Sequence, residues 1–174
     1  MVFSGSGGQG VITAAIIIAE AAVLYDNLIA VQSQSYGPEA RGGATKSDVI
    51  IADSEIYFPK VIQPNVLVCL TQEAYNKYSG LVRPGGLLIT DTKYVKTQRK
   101  VDARQIELPM HETIMAEIKK SIVLNICMLG AVIALTQIVK IESIEKVLED
   151  RIAKNFLDIN KKALNIGLSL GREK

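Results

Sequence analysis

The chain has 174 residues, 48% of them hydrophobic, and its 20 basic and 18 acidic residues leave a net charge of +2. That length can bury one substantial core, so a single domain spanning 1–174 is expected; the near balance of charge supplies neither a nucleic-acid footprint nor an acidic tail. The two cysteines, Cys69 and Cys127, stand far apart in apolar runs, which fits buried thiols in a reducing cytoplasm and offers too few thiolates for an iron–sulfur cluster.

Val2-Phe3-Ser4 is a short apolar start, followed by Gly5-Ser6-Gly7-Gly8-Gln9-Gly10 and then by the Ala-rich apolar run Val11 to Leu24. This order reads as strand, glycine turn and helix. The N-terminus has no basic region, and Glu20 interrupts the apolar run, so a signal peptide is not expected. Asp26-Asn27 ends the helix, Leu28 to Gln32 reads as a second strand, and a loop rich in Gly, Pro and polar residues runs from Ser33 to Gly43. Ala44 to Ala52 and Val66 to Leu70 are further strands, and Thr71 is a natural N-cap for the helix that follows it. Arg83-Pro84-Gly85-Gly86 is a turn, Leu87 to Thr90 a strand, and Asp91 to Lys100 a basic irregular piece. A strand at Gln105 to Leu108 stops at Pro109, and from Glu112 onward the pattern is helical, with Ser143 as the expected N-cap of the helix that buries Ile144, Val147, Leu148 and Ile152. Ser121 to Val139 approaches the ~20 residues of a membrane span. Asn125, Thr136 and Gln137 within it, Lys119 and Lys120 before it, and the missing aromatic belt favour a buried helix instead. Continuous apolar strands separated by helices point to an α/β fold, a three-layer α/β/α arrangement around a mostly parallel open sheet.

The glycines fit the GxGxxG pattern that approaches a dinucleotide pyrophosphate, but that pattern also calls for an acidic residue at the end of the second strand. Here the strand runs out through Val31-Gln32-Ser33-Gln34, and Asp26 precedes it. A stand-alone nucleotide-binding oxidoreductase is therefore the weaker reading. A glycine turn at a helix N-terminus still offers N–H groups and the positive end of a dipole to an anion. The bland alternative is a turn that only permits close packing. The second loop holds Ser35, Tyr36, Gly37, Pro38, Glu39, Ala40, Arg41, Gly42 and Gly43: Pro38 stiffens it, and Tyr36, Glu39 and Arg41 are its contact groups. Because both loops follow parallel strands, they should share one edge of the domain. A plain structural turn with an Arg41–Glu39 surface pair is the alternative.

The order GSGGQGVITAA, QSQSYGPEARGGATKSDVII and then Asn125-Ile126-Cys127-Met128-Leu129-Gly130-Ala131 resembles the gamma subunits of 2-oxoacid:ferredoxin oxidoreductases, closest to the 2-oxoglutarate type, over nearly the whole chain. Pyruvate and branched-chain 2-oxoacid enzymes are the alternatives within the family. The resemblance implies the fold of the pyruvate:ferredoxin oxidoreductase gamma domain. It also implies a multi-subunit enzyme that decarboxylates a 2-oxoacid to its acyl-CoA and reduces ferredoxin, with thiamine diphosphate, Mg and the iron–sulfur clusters in partner subunits. Alpha and beta subunits, with delta as an open case, are the implied partners, and a homodimer is an alternative when they are missing. This chain is then non-catalytic, holds no metal and binds no cofactor alone. Gly5, Gly7, Gly8, Gln9 and Gly10, together with Ser35 to Gly43, would face a partner or coenzyme A. The resemblance departs at the start, where family members have several more residues of first strand.

Four further features have plainer readings. His111, the single histidine, is expected to be solvated or to cap a helix. Glu20 is expected to mark the solvent or interface face of the first helix. Asn125 must satisfy its amide inside an apolar helix, as a core anchor or as a contact to another chain. The run Lys93, Lys96, Arg99, Lys100 and Arg104 is expected to be solvated, with an electrostatic dock for an acidic partner as the alternative.

Overall fold

The computed structural model describes residues 1–34, 44–98 and 100–174, and among them six strands form one sheet in the order β2-β3-β1-β4-β5-β6. The strands are β1 (Val2–Gly5), β2 (Ile29–Gln34), β3 (Thr45–Ala52), β4 (Val66–Cys69), β5 (Gly86–Asp91) and β6 (Ala103–Leu108). β1, β4, β5 and β6 pair in parallel; β3 runs antiparallel to both of its neighbours, β1 and β2. β2 therefore points the same way as β1 without touching it. The expectation of a mostly parallel sheet holds, with β3 as its reversed member.

Side chains alternate across the sheet with the period of two that extended backbone imposes. Phe3, Val66, Val68, Leu70, Ile89, Ile106 and Leu108 enter one core, and Val2, Leu67, Cys69 and Leu88 enter the other. On the first face lie α1 (Val11–Tyr25), α3 (Met110–Glu117), α4 (Leu124–Thr136), α5 (Ile141–Arg151) and α6 (Lys154–Arg172). The second face is covered by α2 (Gln72–Tyr78), through Ala74, Tyr75 and Tyr78, and by Val95 from the segment after β5. Thr71 caps α2 as expected, its hydroxyl accepting from the Ala74 amide at 3.2 Å.

The apolar run that imitates a membrane span is a single turn of 3-10 helix followed by α4, whose residues Leu124 to Ile133 are all buried. No described helix is long and apolar enough to cross a membrane. Its burial depends on glycine. A Cβ on Gly130 would lie 2.2 Å from the Leu164 carbonyl, and one on Gly167 would lie 1.8 Å from the Cys127 carbonyl, so α4 and α6 are in backbone contact.

The C-terminal half differs from expectation in two places. Helix begins at Met110 and is broken at Lys119 and Gln137, both with positive φ. Ser143 is not the N-cap of α5, which starts at Ile141 after Lys140. Instead the Ser143 hydroxyl donates to Asp26 Oδ1 at 2.6 Å, while the Lys140 amide donates to Asp26 Oδ2 at 2.7 Å. The start of α5 is thus tethered to the residue that ends α1, across more than 100 positions of chain, and local sequence gives no sign of it.

Candidate functional site

In a parallel sheet, a crevice opens where neighbouring strands send their connections to opposite faces. β1 leads into α1 on the first face and β4 leads into α2 on the second. The glycine turn therefore sits at the mouth of the crevice between β1 and β4.

The turn is held in two directions. Gln9 Oε1 accepts from the Ser6 amide at 2.7 Å, and its Nε2 donates to the Leu70 carbonyl at 3.1 Å, so one side chain ties the turn to the end of β4. Gly10 is the N-cap of α1 at φ 70°, in the left-handed region that glycine enters without penalty. Asn125, only 8% exposed, donates from Nδ2 to the Gly10 carbonyl at 3.4 Å. Within this chain Asn125 is thus an anchor between α4 and the turn. It was legible as a buried amide; its partner was not.

Between these ties Gly7 and Gly8 are exposed, and a Cβ on either meets no described residue within 4 Å. The first turn of α1 carries no acidic residue, and Gly10 provides no side chain to satisfy its amides. Free N–H groups at the positive end of a 15-residue helix, beside an open backbone, suit an anionic group. The dinucleotide alternative meets no support here. β2 ends in Gln32, Ser33 and Gln34, and the Asp26 carboxylate is already engaged by α5.

The second predicted loop, Ser35, Tyr36, Gly37, Pro38, Glu39, Ala40, Arg41, Gly42 and Gly43, lies outside the described residues, as does Arg99. The positions flanking that loop are described. Thr45 pairs with Gly5, and Gln34 pairs with Ser47, so the ends of β1 and β2 lie at one edge of the sheet.

The expectation that His111 is solvated fails. The residue is 8% exposed, its ring meets Tyr94 edge-on at 5.1 Å between centroids, and its backbone amide donates to Asp91 Oδ2 at 2.7 Å. The capping at α3 is therefore done by Asp91 upon His111. Burial raises the Asp91 pKa, against the lowering effect of the His111 and Lys93 amides. Glu20 is bound within the chain, both carboxylate oxygens accepting from the Arg151 guanidinium at a partly exposed site.

Cys69 lies on β4 and Cys127 on α4, both buried, and burial raises both thiols, Cys127 to about 12. No group of three or more His, Cys, Asp or Glu residues that could hold a metal occurs among the described residues. The donor set on these residues thus does not fit an iron–sulfur cluster or a diphosphate-bound Mg ion.

A profile of the pyruvate ferredoxin/flavodoxin oxidoreductase family matches residues 1–170. The chain is 48% identical to the 2-oxoglutarate synthase subunit KorC of Methanocaldococcus jannaschii, over 98% of this chain and 92% of that one. The crystal structure of a keto/oxoacid ferredoxin oxidoreductase gamma subunit from Geobacter sulfurreducens superposes with a TM-score of 0.90 at 42% identity, covering 99% of this chain and 98% of that one. A 2-oxoglutarate:ferredoxin oxidoreductase from Magnetococcus marinus, solved with 2-oxoglutarate, coenzyme A and succinyl-CoA bound, shares the fold at 22% identity and a TM-score of 0.87. It matches over 99% of this chain and 31% of that longer one.

Proposed function

Since the chain belongs to the pyruvate ferredoxin/flavodoxin oxidoreductase family, we propose that it serves as the gamma subunit of a 2-oxoglutarate:ferredoxin oxidoreductase. The observation that carries this is the end-to-end match to 2-oxoglutarate synthase subunits, whereas the pyruvate and ketoisovalerate enzyme subunits are less similar to this chain. The complex converts a 2-oxoacid to its acyl-CoA and reduces ferredoxin. Residues 1–174 act in it as one domain, in the cytoplasm, beside alpha and beta subunits and, in four-subunit forms, delta.

Thiamine diphosphate, Mg and the clusters are assigned to those partners, in keeping with the donor set of the described residues. Coenzyme A, when bound, supplies the thiol that accepts the acyl group. Toward it this chain contributes a surface: the exposed backbone of Gly7 and Gly8 and the first-turn amides of α1 receive phosphate oxygens. Gln9 and Asn125 hold that backbone in place. Gly5 and Gly10 permit the approach of Gln9 and Asn125 to the turn.

Reconstitution tests the reading. Ferredoxin reduction by 2-oxoglutarate is expected only when this chain joins its partners. Oxidation by the chain alone with thiamine diphosphate, or full activity of the complex without it, would sink the assignment. A preference for pyruvate or a branched-chain 2-oxoacid would move it to another subtype. Gly7→Asp places a carboxylate where the phosphate is assigned; a rise in KM for coenzyme A with assembly intact supports that role, and weakened assembly alone makes the turn a subunit contact.

A further inference from the structure

A second crevice opens on the same edge of the sheet, and the function proposed above does not use it. β5 and β6 end side by side, Asp91 paired with Leu108. The chain then leaves β5 toward the second face, where Val95 is buried, and leaves β6 into α3 on the first face. This is the arrangement that opens the crevice at the glycine turn. Whereas Gln9 spans the first, here the connections that leave the paired strand ends diverge beside an open cavity of about 690 Å³ lined by Thr92, Lys93, His111, Glu112 and Met115.

His111 is the unusual member of this lining. It is more than nine-tenths buried, yet its ring makes no hydrogen bond to any described residue. A buried imidazole ordinarily has a partner. Tyr94 fixes the ring edge-on, and Asp91 holds the backbone on both sides of the cavity, accepting from the Lys93 amide at 2.9 Å and from the His111 amide at 2.7 Å. The Lys93 ammonium lies 5.9 Å from the Tyr94 ring centroid and forms no ion pair with a described carboxylate. The Lys93 ammonium, whose charged neighbour is the Asp91 carboxylate, and a ring that makes no hydrogen bond to a described residue thus flank one cavity on a pre-set backbone.

We propose that this cavity is a second ligand site, taking an oxyanion, carboxylate or phosphate, carried by a small molecule, with the His111 ring as hydrogen-bond donor and Lys93 as counter-charge. Thr92 is a further donor and Met115 an apolar wall for the remainder of the ligand. Two carboxylates oppose the anion. Asp91 is fully buried with its oxygens on backbone amides; Glu112 stands on the lining itself and is the one whose removal should strengthen binding.

Because His111 is the only histidine, its ring C–H resonance reports the site directly in the untagged full-length chain. Inorganic phosphate and acetate are titrated separately at pH 7, with chloride keeping ionic strength constant. A saturable shift with either supports the site, and the anion that saturates first identifies the head group. Lys93→Gln should raise the half-saturating concentration by about tenfold, and Glu112→Gln should lower it by about threefold. Both side chains line an open cavity rather than the core, so both variants should fold. A shift that rises without saturation, that chloride alone reproduces, or that neither substitution alters overturns the proposal.

Discussion

Replacing Gly10 with Ala tests whether the glycine turn is held from below. Gly10 has φ 70°, and an added Cβ would lie 2.6 Å from Asn125 Nδ2 and 2.8 Å from its Cγ. The left-handed conformation alone costs a side-chain-bearing residue about 1 kcal/mol, partly offset by about 0.5 kcal/mol from the stiffer unfolded chain. The larger effect is on Asn125, which must leave the Gly10 carbonyl. A buried amide left without its partner costs about 1–3 kcal/mol. Gly10→Ala should therefore destabilise the chain by about 2–3 kcal/mol in urea, followed by circular dichroism with an unchanged m value. An Asn125→Ala background removes the amide but keeps a Cβ 3.0 Å from the added one; there the same substitution should cost only about 1 kcal/mol, a coupling of about 1–2 kcal/mol. Equal costs in both backgrounds would refute the claim that Asn125 supports the turn. Gly7→Ala is the control: no described residue lies within 4 Å of its Cβ and its φ is not positive, so stability should change by less than about 0.5 kcal/mol.

Gly167→Ala drives a Cβ into the Cys127 carbonyl, where no rotamer change can relieve it, and should cost about 3 kcal/mol by the same assay. Asp26→Ala removes the two hydrogen bonds that tether the start of α5 and should cost about 1 kcal/mol, with Asp26→Asn recovering part of it through its remaining acceptor oxygen. Burial raises both thiols, Cys127 to about 12, so the folded protein keeps them protonated. A folded-state pKa above the unfolded value of about 8.5 gives stability that is complete below about pH 8.5 and is lost as pH rises toward 12. Alkylation at pH 8 should accordingly be slow in buffer and fast in denaturant, and rapid labelling of the native chain would contradict the burial.

Most elements were legible because they rest on local patterns. The strands at Ala44 to Ala52, Val66 to Leu70 and Leu87 to Thr90 lie within a residue of β3, β4 and β5, and Thr71 caps α2 as its position suggested. The reversal of β3 was not drawn from the sequence, although a signal existed. Only ten residues join Gln34 to Thr45, and a parallel return needs a crossover of a dozen or more. What stayed hidden depends on partners distant in sequence. Ser143 has the composition of an N-cap, yet it answers to Asp26. His111 looks solvated beside Glu112 and Thr113, yet the segment that leaves β5 brings Tyr94 against its ring and buries it. Gly130 and Gly167 look like ordinary helix residues until α4 and α6 meet.

The glycine turn shows how one local pattern can serve different chemistry. In a dinucleotide fold the third glycine lets helix pack on strand and the carboxylate after the second strand selects the ribose. Here the third glycine, Gly10, makes room for Asn125 of α4, and the carboxylate is absent, so the turn is specified by the protein behind it rather than by a ribose in front. Gln9 adds a second tie to Leu70. A loop already fixed at both ends loses little conformational freedom when something settles on Gly7 and Gly8, which favours binding without any new contact. The same ties carry a consequence for assembly. α4 touches the turn through Asn125 and lies in backbone contact with α6 through Gly130 and Gly167, so a group seated on the turn is mechanically continuous with the helical layer on the first face of the sheet. A rigid surface of this kind is what the role proposed for the turn, a seat for a phosphate or a partner, requires.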